Sequence, residues 1–154
     1  MNLLDRVRSG LFYMDGGTGS YLQGKGLKPG ELPELWNLQR PNVITELAVS
    51  YYEAGSHMVC TNTFGANRLK FNGENGMPTV SEVVNAAYQC ASAARECAEG
   101  GQTDRYIALD IGPLGKMLEP LGDLSFEDAV DIFGEVVRAG VEVGVDCTLS
   151  PTIL

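Results

Sequence analysis

The chain has 154 residues, of which 44% are hydrophobic and 20% charged, a composition typical of one soluble globular domain without a membrane-spanning stretch. Its net charge of −9 is spread along the sequence, which argues against nucleic acid and anionic membranes as partners. The charged N-terminus lacks the apolar core of a signal peptide, and the four cysteines show no C-x-x-C spacing. We therefore expect a single cytoplasmic domain, residues 1–154, with buried thiols.

Four short runs typical of β-strands alternate with stretches of helical periodicity. The runs are LFYMD, HMVCTN, YIALDI and VDCTL, which begin at Leu11, His57, Tyr106 and Val145. Strands that alternate with helices are the signature of parallel βαβ units with right-handed crossovers. The sequence therefore predicts an α/β fold with four parallel strands in sequence order and three helices between them.

The three helices are predicted from their apolar spacing and, for the first and the third, from an N-cap residue. The first begins at Asn42 as N-cap and ends at Gly55, the second covers about Thr79 to Glu99, and the third begins at Ser125. The residues predicted to face inward are Val43, Ile44, Leu47, Ala48 and Tyr51, then Val83, Val84, Ala87, Cys90, Ala91, Ala94 and Cys97, then Ala129, Val130, Phe133, Val136, Val137 and Val141. The long connection 16–41 is predicted to be irregular.

Glycines and polar residues collect where the first three strands end, in the stretches DGGTG, TNTFGAN and DIGPLGK. In parallel α/β folds ligands bind at the carboxyl ends of the strands, so we expect these loops to form one site. Asp15 stands at the exit of the first strand beside accessible backbone amides. A carboxylate there can receive an ammonium group while the amides receive a carboxylate, which suits an amino acid. The alternative is that Asp15 only fixes its own turn.

Two other kinds of site are weakly indicated. The stretch GSYLQGKG nearly matches a P-loop, but Gly26 stands where a magnesium-binding hydroxyl is required, so nucleotide binding is not predicted. The lone histidine, His57, enters its strand at the end remote from the three loops. We expect a solvated or locally hydrogen-bonded imidazole there.

As a set, MDGGTG, CTNTFGANRLK and DIGPLGKMLEPLGDLSFEDA resemble the opening loops of the homocysteine S-methyltransferase family. The resemblance is greatest to the homocysteine-binding domain of cobalamin-dependent methionine synthases and runs from about Leu3 to Asp146. It implies the first half of a TIM (β/α)8 barrel with homocysteine at the C-terminal mouth. The implied substrate-binding residues are Asp15, Gly16 and Gly17 at the amino-acid end, Asn62, Thr63 and Phe64 along the pocket, and Gly112 and Pro113 closing it. Trp36, in the long first connection, would either cover the mouth of the barrel or have only a packing role.

The resemblance also implies zinc, which family members bind through three cysteines and which takes the substrate thiol as a thiolate. The donors that the family resemblance implies are cobalamin, betaine or S-methylmethionine, depending on the branch, and the likeness to methionine synthases favours methylcobalamin carried by other domains. The family's zinc cysteines lie in the second half of the barrel, so Cys60 and Cys147 match none of them, and no metal ligand is predicted here. After GVD the fourth run reads CTLSPTIL, which lacks the family's glutamate and is interrupted by Pro151.

The expected function is methyl transfer to the homocysteine thiol to give methionine, by a domain that looks truncated and is inactive alone. We expect weak or no homocysteine binding. Open strand edges and the apolar side chains of Phe12, Met14, Val59, Ala108 and Ile111 predict self-association. Two alternatives stay open: a non-catalytic half-barrel interaction module, and an unrelated α/β enzyme that uses Asp15 and Asp110 as a carboxylate pair.

Overall fold

A three-stranded parallel sheet forms the centre of the computed structural model, which describes residues 1–150. Its strands are β1 (Met58–Cys60), β2 (Tyr106–Asp110) and β3 (Cys147–Leu149), and they lie in sequence order. Cys60 and Cys147 both pair with Ala108, one from each side of β2. The predicted parallel α/β architecture is therefore confirmed for three of the four runs. Pro151, predicted to interrupt the fourth run, lies outside the described residues.

The first predicted strand is reduced to a single parallel bridge between Met14 and Met58. The backbone N–H of His57 donates to the carbonyl of Tyr13 at 2.8 Å, and that of Asp15 donates to the carbonyl of Met58 at 3.0 Å. The run therefore follows β1 without forming a strand of its own. The apolar composition of this run predicted a buried strand, but Leu11 and Tyr13 are exposed.

Helices cover the sheet and fill most of the connections. They are α1 (Leu3–Arg8), α2 (Gly19–Gly24), a 3-10 helix (Pro33–Leu35), α3 (Trp36–Gln39), α4 (Pro41–Glu53), α5 (Val80–Cys97) and α6 (Phe126–Val143). The last three are the predicted helices. The prediction of an irregular connection over 16–41 is wrong, because the short helices there are too brief to show periodicity. No helix within residues 1–150 is long and apolar enough to cross a membrane.

The cap predicted for α6 is confirmed and the one predicted for α4 is wrong, while α5, for which no cap was predicted, begins with a capping box. Thr79 and Glu82 form a capping box at the start of α5, and the Ser125 hydroxyl accepts from the backbone N–H of Asp128 at 3.0 Å. Helix α4 instead begins with Pro41, one residue before the predicted cap, and has no side-chain cap. Proline fits this position because the first helical N–H needs no partner.

The inward faces of the helices differ from prediction at a few positions. In α4 the fully buried aromatic residue is Tyr52, not Tyr51, and its hydroxyl donates to the Tyr106 carbonyl at 2.9 Å. Cys97, Val130 and Val141, predicted to face inward, are exposed. In α6, Val136 and Ala139 pack with Leu109 of the sheet, whereas Ile132 packs with Leu114 and Leu124 of the third loop. Gly140 also faces the sheet, because a Cβ there would lie 2.5 Å from Leu109 Cδ2.

The two faces of the sheet are filled differently. Val59, Ile107 and Leu109 pack beneath the helices. On the other face, Met58, Tyr106 and Ala108 are buried, with Leu3 of α1 and the partly buried Phe12, Cys60, Cys147 and Leu149 against them. Five apolar side chains were expected to be exposed and to promote self-association. Of these, Val59, Ala108 and Ile111 are buried and Met14 is exposed. The expectation fails for Val59 and Ile111 because both pack among the helices, and for Ala108 because it is buried on the other face of the sheet.

Candidate functional site

The three glycine-rich loops meet at the carboxyl edge of the sheet, as predicted. The carboxylate Oδ2 of Asp15 accepts from the backbone N–H of Cys60 at 2.6 Å, which ties the first loop to β1. The hydroxyl of Thr63 donates to the carbonyl of Asp110 at 2.7 Å, and the N–H of Gly112 donates to the carbonyl of Phe64 at 3.0 Å. These bonds hold the second loop between the other two.

The turn that follows Asp15 is supported from helix α4 by Tyr51. The Tyr51 hydroxyl donates to the carbonyl of Gly17 at 2.9 Å. At Gly16 a Cβ would lie 3.0 Å from the same hydroxyl, so glycine allows the close approach. Burial raises the pKa of Asp15, and the N–H of Cys60 opposes that effect. Sequence reasoning missed this role of Tyr51 because its periodicity placed it in the core.

Asn62 is held by the segment that precedes it in the long first connection. Its side-chain Nδ2 donates to the carbonyl of Pro33 at 2.9 Å and to Oδ1 of Asn37 at 3.0 Å. Asn37 Nδ2 donates in return to the backbone carbonyl of Asn62 at 2.8 Å. Asn37 is 2% exposed. It carried no sequence signal, because an asparagine in a predicted irregular loop looks like a solvated residue.

A buried acid, Glu34, fixes the next part of the second loop. Its Oε1 accepts from the backbone N–H of Gly65 at 2.6 Å, and the side chain is 3% exposed. A Cβ at Gly65 would lie 2.7 Å from this oxygen. Glu34 Oε2 is buried, with no hydrogen-bond partner among the described residues. Glu34 was also missed, since acids in loops are usually solvated.

The remaining predicted substrate residues contribute in different ways. Thr63 is buried and its hydroxyl is shared between Thr61 and the carbonyl of Asp110. Phe64 is half-exposed. Gly112 must stay small, because a Cβ there would lie 2.4 Å from the Phe64 carbonyl oxygen. Pro113 instead lines an apolar groove of about 370 Å³ formed by the third loop and α6.

Negative charge accumulates at this edge, where Lys70 lies near Glu34: a Cβ at Gly65 would be 2.9 Å from Lys70 Nζ and 2.7 Å from Glu34 Oε1. Burial, followed by the neighbouring charges of Asp15 and Glu34, raises the pKa of Asp110 to about 6. Asp110 Oδ1 is buried, and no group within residues 1–150 hydrogen-bonds to it. None of the three acids belongs to a salt bridge of the described part of the chain. The edge therefore favours a cationic group of a ligand.

The residues present do not fit a zinc site. Cys60 and Cys147 face each other only across Ala108, so a whole strand separates them. Burial raises the pKa of Cys60, which favours the neutral thiol over the metal-binding thiolate. Over residues 1–150 there is no group of three or more His, Cys, Asp or Glu side chains that could hold a metal ion.

His57 and Trp36 lie outside the site. His57 is 1% exposed, its Nδ1 accepts from the backbone N–H of Tyr13 at 3.1 Å, and its Nε2 faces Arg6. The local hydrogen bond is confirmed and the solvated alternative is wrong. Burial and the Arg6 charge lower the pKa of His57. Trp36 is buried beneath the guanidinium of Arg40, which lies 4.1 Å from the ring centre, so it packs and does not cover a mouth.

Known proteins resemble this chain in sequence. The model of the family described as homocysteine S-methyltransferase matches residues 12–154. The methionine synthase of Mycobacterium tuberculosis (strain ATCC 25618 / H37Rv) is 28% identical over 159 residues, which cover 98% of this chain and 13% of the relative. The methionine synthase of Mycobacterium leprae (strain TN) is 25% identical over 157 residues, with the same coverage. The chain thus spans a small part of these relatives.

Solved structures resemble it in fold. The homocysteine methyltransferase MmuM from Escherichia coli, in its metallated form, superposes with a TM-score of 0.80 at 21% identity, covering 98% of this chain and 57% of MmuM. The oxidized form gives a TM-score of 0.75 at 23% identity, covering 95% and 53%. The α/β fold is therefore similar to that of this methyltransferase. Because the family match extends over most of the sequence, the chain belongs to the homocysteine S-methyltransferase family.

Proposed function

We propose that this chain is the homocysteine-binding part of a methionine-synthase-type methyltransferase, and that its sheet is half of a TIM barrel. The observation that carries the proposal is the convergence of the three loops on an edge where the carboxylates of Asp15 and Asp110 belong to no salt bridge of the described residues. Asp15, Asp110 and Glu34 supply negative charge, and the glycine turn offers backbone N–H groups beside it. An amino acid carries both complementary charges on adjacent groups, whereas a phosphate carries only negative charge.

In this proposal Asp15 receives the substrate ammonium group and the amides of Gly16 and Gly17 receive its carboxylate. Asn62 and Phe64 line the pocket, and the Gly112 N–H holds the Phe64 carbonyl so that the third loop closes beside them. Thr63 acts through the backbone, because its hydroxyl is already engaged. The role of Pro113 is to begin the wall of the neighbouring apolar groove.

These residues bind and orient the substrate. In the proposed reaction the homocysteine thiol loses its proton, its sulfur forms a bond to the methyl carbon, and the bond from that carbon to the donor breaks. Thiol activation and the donor, for which the family resemblance implies methylcobalamin, belong to parts beyond residues 1–150. We accordingly propose that this chain alone binds homocysteine weakly and does not turn it over.

Calorimetric or NMR titration with homocysteine and with 4-mercaptobutanoate, which lacks the amino group, tests the proposal. We expect a dissociation constant for homocysteine in the millimolar range, and a weaker affinity for the analogue. The ratio of the two dissociation constants should fall about tenfold in Asp15→Asn, because the ammonium group of homocysteine loses a charged partner. The matched control is Asp131→Asn, an exposed acid on α6. Equal affinity for both ligands in the unmodified chain would overturn the proposed function.

A further inference from the structure

We infer that Asn37 is a positioning residue that fixes the side-chain amide of Asn62 so that Oδ1 is presented to the ligand's ammonium group. The ligand in this inference rests on the proposed function. The orientation of the amide rests on the structure alone. No sequence motif distinguishes Asn37, which lies in the four-residue helix α3.

The orientation of the Asn62 amide follows from what its neighbours can accept. The backbone carbonyl of Pro33 can only accept, so the group 2.9 Å from it must be the NH2 of Asn62. The second hydrogen of that NH2 goes to Asn37 Oδ1 at 3.0 Å. Both donors of Asn62 are thereby used. Its Oδ1 receives no hydrogen bond from any described residue.

Asn37 is itself fixed. Its Nδ2 donates to the backbone carbonyl of Asn62 at 2.8 Å, and that carbonyl can only accept. Asn37 Oδ1 must therefore face Asn62 Nδ2, so a flip of either amide would set two like groups against each other. With 2% exposure, Asn37 has no access to water that could replace these bonds. The pair therefore behaves as one rigid unit.

The surroundings of Asn62 fit an ammonium group. Asn62 and Asp15 line the same small cavity, together with Thr18, Tyr51 and apolar side chains of α4 and α5, and its volume of about 20 Å³ admits one water-sized group. Asp15 and Asn62 are therefore the polar acceptors available to a cation in a cavity whose helical wall is apolar. An ammonium group is of that size and carries only donors. The carboxylate of Asp15 supplies the charge, and the fixed Oδ1 of Asn62 supplies a neutral acceptor. An Asn62 amide free to flip would present NH2 half of the time and repel the same group.

The experiment combines ligand preference with amide exchange, in the chain and in Asn37→Leu. We expect Asn37→Leu to lower the preference for homocysteine over 4-mercaptobutanoate about tenfold and to speed hydrogen exchange of the Asn62 side-chain amide. The control is Tyr52→Phe, which removes a buried hydroxyl that donates to the Tyr106 carbonyl at 2.9 Å, at the end of β2 remote from the three loops. That control costs a comparable buried hydrogen bond and should leave the preference and the Asn62 exchange unchanged.

A second variant separates positioning from loss of folding. Asn37→Asp keeps the oxygen that accepts from Asn62 Nδ2, so slow exchange of the Asn62 amide should persist even where the melting temperature falls. Fast exchange of that amide in the unmodified chain, or an unchanged ligand preference in a folded Asn37→Leu, overturns the inference. If the unmodified chain shows slow exchange but no ligand preference, the proposed function and the assigned ligand fail, and the role of Asn37 in holding the amide stands.

Discussion

Asp110 makes the stability of the chain depend on pH in a defined direction. Its pKa is raised to about 6 in the folded state, above its ordinary value near 3.8, so between these values the folded state binds more protons than the unfolded state. The free energy of unfolding contributed by this group therefore falls as pH rises from about 4 to about 6. We predict that Asp110→Asn raises the unfolding free energy at pH 7 by about 1–2 kcal/mol and leaves it unchanged at pH 4.

Denaturant unfolding at the two pH values measures this effect. Asp131→Asn, on the exposed face of α6, serves as the control and should change neither value. A destabilised Asp110→Asn at pH 7 would mean that the Asp110 carboxylate is held by a cationic partner, and the proposed ammonium site, which depends on carboxylates free of such a partner, would be lost.

Gly112 tests the packing of the second loop against the third. Alanine at this position would place its Cβ 2.4 Å from the backbone oxygen of Phe64, and a backbone atom cannot rotate away. We predict that Gly112→Ala lowers the unfolding free energy by about 1–3 kcal/mol, the range for overpacking a filled site. Gly24→Ala is the control, because a Cβ there meets nothing within 4 Å. Equal melting temperatures for the two variants would show that the loops are not in this contact.

Among the elements, α5 depends on its capping box. The Thr79 hydroxyl accepts from the backbone N–H of Glu82, and the Glu82 carboxylate accepts from the N–H of Thr79 at 2.7 Å. We predict that Thr79→Ala lowers the unfolding free energy by about 1 kcal/mol, because backbone donors of the first turn lose a partner. The exposed Ser81→Ala on the same helix is the control. Equal melting temperatures for Thr79→Ala and Ser81→Ala would contradict the capping geometry.

The elements that sequence reasoning predicted well are those with a long repeated signal. Helix α5 was predicted from its periodicity, helix α6 from its cap and its periodicity, and the strand runs from short apolar stretches between loops. The short helices of the 16–41 connection and the missing first strand were not found, since four to six residues carry no period and exposed apolar residues resemble a strand. Tyr51 and Tyr52 exchanged roles because adjacent helical positions differ by about 100° and both are apolar enough for the core.

For the candidate site, sequence predicted the convergence of the loops but not what holds them. Asp15, Asn62 and Phe64 lie at chain positions that parallel α/β topology brings to one edge, so their meeting was predictable. Glu34 and Asn37 act through buried polar contacts between distant segments. Their residue types alone favour a solvated interpretation, and only the three-dimensional structure distinguishes the two.

At the scale of the whole molecule, apolar surface and an open strand edge predict association. Leu121 is 81% exposed and Phe126 is 66% exposed beside the groove of the third loop, and no strand of the described region pairs with the outer side of β3. We predict dimers or larger species in sedimentation at micromolar concentration, reduced by Leu121→Glu but not by Leu4→Glu on α1. A monodisperse monomer that binds no apolar dye would contradict this prediction.

The central claim is that the carboxyl edge of this sheet binds homocysteine, and NMR mapping of the binding site tests it most directly. With the backbone amides of the chain assigned, homocysteine is added to millimolar concentration and the shifted resonances are located. We predict saturable changes in the chemical shifts of Asp15, Gly16, Gly17 and the Asn62 side chain. These changes should diminish when 4-mercaptobutanoate replaces homocysteine. Shifts confined to the groove around Met117 and Leu121, or no shifts at all, would contradict it.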